Sequence, residues 1–323
     1  MSEIRFSIII SCYNQEDYIQ ESVGSALSQG YARKEVIVVD DCSSDGTTEI
    51  LKRFGESISL AVLPKNSGVD ASRNHGVSMA RGEYVVFLDG DDVMMPWTLD
   101  VYELVIEARS PMVILGRPVI FQGDVPEAKM SDVSGNVSFV EYSNFLAKDR
   151  PGVYNTSALV VNRSHFLSAG GWSQGIFYGD IQDLLIKIGT SGKMILIVKP
   201  GTVLYRMHSQ NSVHKVSLFV NGMNKLLTKE KSGLYPGGRK HRSERLAWFG
   251  GLNFYWAKEA IRTRRYRDGF KLLTSSWSMI LLAVIRRCKL LLLGRKPVES
   301  LSLDKENIFS TDIKQVNYPN KVR

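Results

Sequence analysis

The sequence predicts an α/β fold, in which a mixed sheet is flanked by helices, followed by a basic helical region. Short runs rich in Val and Ile alternate with segments whose apolar residues recur at helical spacing. Such runs are typical of strands that are buried between two layers of helices. At 323 residues and 44% hydrophobic composition, the chain is long enough to bury a substantial core.

The charge is divided along the chain, and this division predicts the basic region. From Lys215 to Lys296 there are nineteen Lys and Arg and four acidic residues, whereas the rest of the chain carries 22 basic and 29 acidic residues. We therefore divide the chain into residues 1–214 and residues 215–323. The asymmetry suggests two functions: the first part would bind a cation and its ligand, and the second would contact an anionic surface.

The elements of the first part follow from hydrophobic periodicity. Strands are predicted at residues 6–10, 36–39, 59–63 and 84–88, and helices at residues 17–28, through Ile50 and Leu51, and at residues 69–80. Further strands are predicted at residues 113–115, 119–121, 158–161 and 195–198, and helices at residues 142–147, 163–169 and 181–190. The segment 123–135, rich in Gly, Ser, Asp and Pro, predicts a flexible lid or insertion.

Two of the predicted strands end in carboxylates. Asp40 and Asp41 follow the second strand, and Asp89, Asp91 and Asp92 follow the fourth. Ligands of parallel sheets bind outside the carboxyl ends of the strands, so we expect these acids at one edge. Because like charges at that distance repel, the arrangement requires a hard cation, and it predicts a polyphosphate ligand that the cation can hold.

Four motifs, in this order, resemble family 2 glycosyltransferases over roughly residues 6–212. They are Phe6 to Asn14, Val38 to Asp41 with Ser43, Asp45, Gly46 and Thr47, Arg73-Asn74 with Gly76, and Arg81 to Tyr84 leading to Asp89-Gly90-Asp91-Asp92 and Pro96. The resemblance implies the GT-A fold and inverting transfer of a sugar from a nucleotide donor, with UDP as the expected nucleotide. The Gln-x-x-Arg-Trp signature of the family's processive synthases is absent from the sequence.

The resemblance also implies how the nucleotide is held. Ser11, Tyr13 and Asp41 would bind the uridine, since a tyrosine ring can stack on a base and a carboxylate can accept from its imide N–H. Arg73 would either face the diphosphate or pair with Asp89. Asp40 and Asp41 could instead serve only to cap the following helix.

A metal site is implied by the cluster from Asp89 to Asp92, which matches the family's DXD motif. We expect Asp92 to bind Mn²⁺ or Mg²⁺ directly and Asp91 to lie near the ribose or the metal's water shell. His208, in a late motif with Tyr205 and Arg206, would complete the metal or diphosphate site, since imidazole is a suitable ligand for Mn²⁺. A histidine outside the metal's first coordination sphere is the alternative.

Inverting transfer needs a base that deprotonates the acceptor hydroxyl. The family places it at the start of a helix after a glycine turn, and here the segment following Trp172 contains Asp180 and Asp183 with irregular spacing. We choose Asp180, which precedes the predicted helix, with Asp183 as the alternative, although Asp180 could also be a helix cap. Trp172 is either a core residue or a platform for a sugar.

Other functions stay open at this point. A sugar nucleotidyltransferase would need a Gly-rich basic loop after the first strand, where the chain has Ser11 to Gln15. A nucleic-acid-binding protein would use the basic region, but we expect no nucleic acid as a partner. The expected acceptor is a glycan or a lipid-linked oligosaccharide of surface polysaccharide biosynthesis.

The location of the protein is predicted from its cysteines and its apolar segments. Three cysteines offer neither a zinc spacing nor an even disulfide set, and the short apolar start resembles no signal sequence. Residues 278–293 are too short and too charged to span a bilayer, but they could lie on an anionic membrane or pack as a core helix. We expect a cytoplasmic protein, peripheral on the inner face of the membrane through residues 215–296.

Overall fold

A computed structural model describes residues 4–126, 135–147, 155–176, 179–188, 192–208, 211, 216–294 and 296–303. The strands are β1 (Phe6–Cys12), β2 (Lys34–Asp40), β3 (Ser59–Val62), β4 (Tyr84–Asp89), β5 (Val93–Met94), β6 (Val113–Leu115), β7 (Pro118–Phe121), β8 (Asn136–Tyr142), β9 (Leu159–Asn162), β10 (Met194–Lys199), β11 (Val203–Arg206) and β12 (Glu299–Ser302). The helices are α1 (Ile19–Leu27), α2 (Thr47–Lys52), α3 (Val69–Met79), α4 (Thr98–Arg109), α5 (Arg163–Ser168), α6 (Asp180–Ile188), α7 (Val216–Lys231), α8 (Arg242–Arg262), α9 (Tyr266–Ser275) and α10 (Trp277–Leu292).

Within these ranges, nine strands form one mixed sheet in the order β12-β8-β10-β6-β9-β4-β1-β2-β3. The strands β1, β2, β3 and β4 are parallel neighbours, and β9 is antiparallel to both β4 and β6. A second sheet has the order β5-β11-β7. The prediction of a mixed sheet flanked by helices is confirmed.

The two faces of the sheet have separate cores. On β1, Ile8 and Ile10 pack in a core with α1 and α4, whereas Ile9 packs in the other core with α3 and α6. Alternate residues of a strand point to opposite faces, so a strand buried on both faces must be apolar throughout. This explains why β1, β2 and β4 read as continuous Val and Ile runs.

Most of the predicted elements are confirmed, and one helix is wrong. Residues 142–147 were predicted to be helical, but β8 ends at Tyr142 and a single 3-10 turn follows at Phe145–Ala147. The strand pairs on one side with β10 and on the other with β12, both distant in sequence, and this pairing overrides the local pattern. The predicted lid falls largely outside the described residues, since 127–134 are not among them.

The basic region is helical, as predicted, but its last described strand returns to the sheet of the first part. Helix α8 packs against both α9 and α10, and β12 then pairs antiparallel with β8. The division at residue 214 stays a prediction, and β12 shows that the two parts share one sheet.

Candidate active site

The predicted acids meet at one edge of the sheet because the strands that carry them are parallel neighbours. In the register of β1, Cys12 lies opposite Asp40 of β2, and Ser11 lies opposite Asp89 of β4. The loops that follow these strands therefore begin at the same level of the sheet. This edge is where open α/β sheets bind their ligands.

The predicted nucleotide site combines an exposed ring with buried polar groups. Tyr13 is 45% exposed, so its ring is available for stacking. The buried hydroxyl of Ser11 has no hydrogen-bond partner among the described residues. Both oxygens of Asp41 accept from backbone N–H groups, those of Ser67 at 2.7 Å and Gly68 at 2.8 Å, so this carboxylate fixes the loop before α3.

Asp40 has a structural role in the same region. Its carboxylate is fully buried and accepts hydrogen bonds from the backbone N–H and the hydroxyl of Ser43, at 3.0 and 2.5 Å, and from the hydroxyl of Thr48. These bonds hold the turn between β2 and α2.

Arg73 of α3 is a buried cation that joins three carboxylates. Its guanidinium lies 2.8 Å from Oδ1 of Asp89, 3.1 Å from Oδ2 of Asp180 and 3.9 Å from Oδ1 of Asp70. It also lies 5.0 Å from the centre of the Trp172 ring. Of the two alternatives for Arg73, the structure shows the pairing with Asp89.

Asp180 is the first residue of α6 and keeps 18% of its side chain exposed. Burial raises the pKa of this carboxyl above its ordinary value, and the charge of Arg73 opposes the effect only in part. Burial and the charge of Asp180 also raise the pKa of the neighbouring Asp70, to about 7. The arrangement can therefore provide a carboxylate of increased basicity at the opening of a helix.

Asp183, the alternative base, is fully buried in α6. It accepts hydrogen bonds from Nζ of Lys229 at 2.5 Å and from the hydroxyl of Tyr235 at 2.7 Å, and Nζ of Lys187 lies 3.5 Å away. Although burial tends to raise the pKa of Asp183, Lys229, Lys187 and Ser173 outweigh it and hold the pKa below the ordinary value. Asp183 thus ties α6 to α7 rather than facing the strand-end edge.

Of the two acids in the loop after β4, Asp91 is the less buried, with 14% of its side chain exposed. Asp92 is fully buried, with Oδ2 accepting from the Ser157 hydroxyl at 2.5 Å and Oδ1 from the Arg206 N–H at 2.9 Å. Burial, together with the charges of Asp91 and Asp89, raises the pKa of Asp92 well above its ordinary value. This arrangement differs from the prediction that Asp92 binds the metal directly, because both of its oxygens are occupied within the protein.

Asp91 pairs with the predicted histidine. Its Oδ2 lies 3.0 Å from Nε2 of His208, whose ring stacks on Tyr18, and Nδ1 of His208 is buried without a partner among the described residues. In the described part of the chain, no group of three or more His, Cys, Asp and Glu side chains could hold a metal ion. A carboxylate beside an imidazole still fits Mn²⁺ or Mg²⁺, since such ions take few protein ligands and fill their other positions with phosphate oxygens and water.

Two residues that support this loop had no predicted role. Arg206 is buried, and besides its bond to Asp92 its Nε donates to the carbonyl of Asp91 at 3.0 Å, while its guanidinium pairs with Glu21. Ser157 also accepts from the N–H of Asp89 at 3.0 Å. Arg206 could have been found as the arginine two residues before His208, but nothing near Ser157 in the sequence indicates its role.

Trp172 is a core residue, which decides between its two alternatives. It is 2% exposed and packs edge-on against Phe87, with ring centroids 5.2 Å apart. Asn74 exchanges two hydrogen bonds with the backbone of Trp172, at 2.8 and 2.9 Å. These contacts fix the segment that leads to α6 and therefore the position of Asp180.

Comparison with known proteins identifies the family. Residues 7–166 match the sequence model described as glycosyl transferase family 2. The chain belongs to this family. The match covers β2 and β4, whose ends carry the strand-end acids of the candidate site, and it ends before α6, so Asp180 and His208 lie outside the matched segment.

Among curated proteins, the family 2 chain is 42% identical over 104 residues to the putative teichuronic acid biosynthesis glycosyltransferase TuaG of Bacillus subtilis, covering 31% of this chain and 40% of TuaG. It is 30% identical over 169 residues to the poly(ribitol-phosphate) beta-N-acetylglucosaminyltransferase TarS of Staphylococcus aureus, covering 50% of this chain and 30% of TarS. The chain thus spans less than half the length of either relative.

Solved structures show the same fold. A crystal structure of S. aureus TarS 1-349 in complex with UDP-GlcNAc aligns with a TM-score of 0.58 at 20% identity, covering 77% of this chain and 72% of the TarS chain. A structure of GalNAc-T7 with UDP, GalNAc and Mn²⁺ aligns with a TM-score of 0.50 at 14% identity, covering 69% of this chain and 48% of that one. The expected GT-A fold is confirmed.

Proposed function

We propose that this family 2 protein is an inverting glycosyltransferase that moves a sugar from a UDP-linked donor to a glycan or lipid-linked acceptor. One observation carries the proposal. At a single sheet edge, Asp91 pairs with His208, and Asp89, the last residue of β4, pairs with Arg73, which also contacts Asp180. A cation-binding pair and a base at one edge are what the reaction requires.

The donor's uridine would bind at the ends of β1 and β2. The exposed ring of Tyr13 supports this placement, as does the hydroxyl of Ser11, which has no hydrogen-bond partner in the described part of the chain. Asp41 would contribute through the loop that it holds, since its oxygens already accept from that loop. TarS in complex with UDP-GlcNAc supports UDP-GlcNAc as the first donor to test.

The divalent ion, Mn²⁺ or Mg²⁺, would be held by Asp91 and His208. When bound, such an ion neutralises the charge that develops on the departing diphosphate. Asp92 would not bind the ion but would hold the loop in place, because its buried carboxylate accepts hydrogen bonds from Ser157 and Arg206. We thus revise the first assignment by making Asp91 the direct ligand and Asp92 its support.

The base would be Asp180. It is the more exposed of the two candidate acids, and its raised pKa brings it nearer to the pH at which a general base is effective. Arg73 would orient it through the contact at 3.1 Å. The names of TuaG and TarS support an acceptor in the biosynthesis of cell-surface polymers.

The test is a UDP-release assay with UDP-GlcNAc, other UDP-sugars, GDP-sugars and dTDP-sugars, with Mn²⁺, with Mg²⁺ and with EDTA. We expect turnover with a UDP-sugar that requires the ion and falls by about 100-fold or more in Asp180→Asn, as is typical for loss of a general base. Asp183→Asn serves as the matched control one turn along α6. Turnover that ignores EDTA and both substitutions would contradict the proposal.

A further inference from the structure

Helix α10 exposes a continuous apolar stripe. Trp277, Leu281, Val284, Ile285 and Leu292 have exposed fractions of 67%, 52%, 54%, 55% and 89%. Their spacing places them along one side of the helix. With sixteen residues, α10 is about 24 Å long, so the stripe is an extended surface rather than an isolated side chain.

The opposite side of α10 is fixed against α8. A Cβ at Gly250 of α8 would lie 2.0 Å from the carbonyl oxygen of Met279, and one at Gly251 would lie 3.9 Å from the Cβ of Ala283. Only a glycine at position 250 allows so close an approach of the two helices. Because Met279 packs inward here, the stripe must face away from the protein.

Helix α9 carries a second exposed apolar surface. Tyr266 and Phe270, one turn apart, are 62% and 69% exposed, and they line a surface groove of about 480 Å³ together with Ile261, Arg267 and Leu273. Helices α9 and α10 meet at a bend of 74°. In the described part of the chain, no single helix is long and apolar enough to cross a bilayer. Helices α9 and α10 taken together reach the required length and apolar composition, but they are bent relative to each other.

The charge around this surface has one sign. From Arg262 to Lys296 the sequence contains ten Lys and Arg and a single acidic residue, Asp268. Arg264 and Arg265, between α8 and α9, and Arg267, in the first turn of α9, are exposed. An apolar stripe with a tryptophan at its start and cations beside it is typical of helices that lie in the interface of an anionic membrane.

We propose that α9 and α10 dock on the surface of an anionic lipid bilayer, with α10 lying in the interfacial plane. The basic charge argues against a second copy of the chain as the occupant, since two such faces would repel. Nucleic acid would match the charge but would leave the aliphatic stripe in contact with water. This inference does not depend on the sugar-transfer reaction, but it would bring the enzyme to a membrane where a lipid-linked acceptor would lie.

The test is co-sedimentation of the full chain with vesicles of phosphatidylcholine alone and of phosphatidylcholine with phosphatidylglycerol. We expect binding to the second kind, weakened by salt, and a blue shift of tryptophan fluorescence that is lost in Trp277→Phe. Leu281→Glu with Ile285→Glu should abolish binding, and Arg264→Ala with Arg265→Ala should weaken it by roughly 30-fold, since each cation near the surface contributes about 1 kcal/mol. Ile120→Glu, at a residue 61% exposed on β7, is the matched control.

Several outcomes would overturn the proposal. One is that the protein binds neither kind of vesicle, and another is that Ile120→Glu loses as much vesicle binding as the stripe variant does. A stripe variant that changes the oligomeric state but still binds vesicles would also contradict the proposal. Resistance of the bound protein to extraction with alkaline carbonate would show insertion across the bilayer instead. If added RNA displaces the protein from vesicles, and the variants of the α10 stripe also lose affinity for RNA, the surface binds nucleic acid instead. The assay contains no donor sugar, so its failure is separate from failure of the proposed reaction.

Discussion

The backbone N–H of Arg206 donates to Oδ1 of Asp92 at 2.9 Å, although the two residues are 114 positions apart in the chain. The guanidinium of Arg206 adds a bond to the carbonyl of Asp91 and lies 4.9 Å from the centre of the Tyr18 ring. His208, two residues later, pairs with Asp91. The end of strand β11 thus fixes the positions of the loop after β4 and of His208 relative to each other.

Arg206→Lys should impair metal use more than it impairs folding. Lysine keeps the charge but has no planar fork, so it cannot bond the Asp91 carbonyl, the Gly123 carbonyl and Glu21 together. By analogy with residues that orient metal ligands, we expect the Mn²⁺ concentration for half-maximal UDP release to rise about 10- to 100-fold. Arg117→Lys, at an exposed arginine, is the control, and an unchanged metal requirement in Arg206→Lys would refute the positioning role.

Ser157→Ala should destabilise the loop after β4. The hydroxyl of Ser157 donates to Asp92 at 2.5 Å and accepts from the Asp89 N–H at 3.0 Å, so its removal leaves two buried groups without this partner. We expect a loss of about 1–3 kcal/mol in the free energy of unfolding, measured by urea denaturation. Ser78→Ala, at an exposed serine in α3, should change the same quantity by less than about 0.5 kcal/mol. Equal losses in the two variants would show that Ser157 does not support the loop.

The strand ends were predictable from the sequence because their signals are local. Val and Ile runs define β1, β2 and β4, and the acids follow within the same segments. Ser157 has no such signal and Arg206 has only its position two residues before His208, since the role of both depends on bringing distant segments to Asp92. Helix α4 was not predicted because residues around most of its circumference are buried, which removes the amphipathic pattern.

The stability of the protein should depend on pH through Asp70. The pKa of this carboxyl is about 7 in the folded chain, against an ordinary value of 3.8, mainly because of burial and the nearby Asp180. Between these two values the folded state holds a proton that the unfolded state has released, so stability falls as the pH rises from about 4 to 7. Asp70→Asn should remove this loss and be the more stable protein at pH 8, by up to about 4 kcal/mol.

The measurement is the urea midpoint of the wild type and of Asp70→Asn at pH 5 and pH 8. Glu107→Gln, at an exposed acid in α4, controls for the change in net charge. A difference between wild type and Asp70→Asn that is the same at both pH values would contradict the assignment.

Asp183 should behave as a structural residue and Asp180 as a functional one. Lys229→Met removes the hydrogen bond of 2.5 Å to the fully buried Asp183. We expect a loss of about 3 kcal/mol in the free energy of unfolding, which is the lower end of the range for a broken buried ion pair. The loss should not be larger, because Nζ of Lys187 still lies 3.5 Å from Asp183. Tyr235→Phe should cost about 1 kcal/mol. Lys231→Met, at an exposed lysine of the same helix, should cost little. UDP release per folded molecule should persist in Lys229→Met and be lost in Asp180→Asn, whose stability should be close to that of the wild type; the reverse pattern would make Asp183 the base.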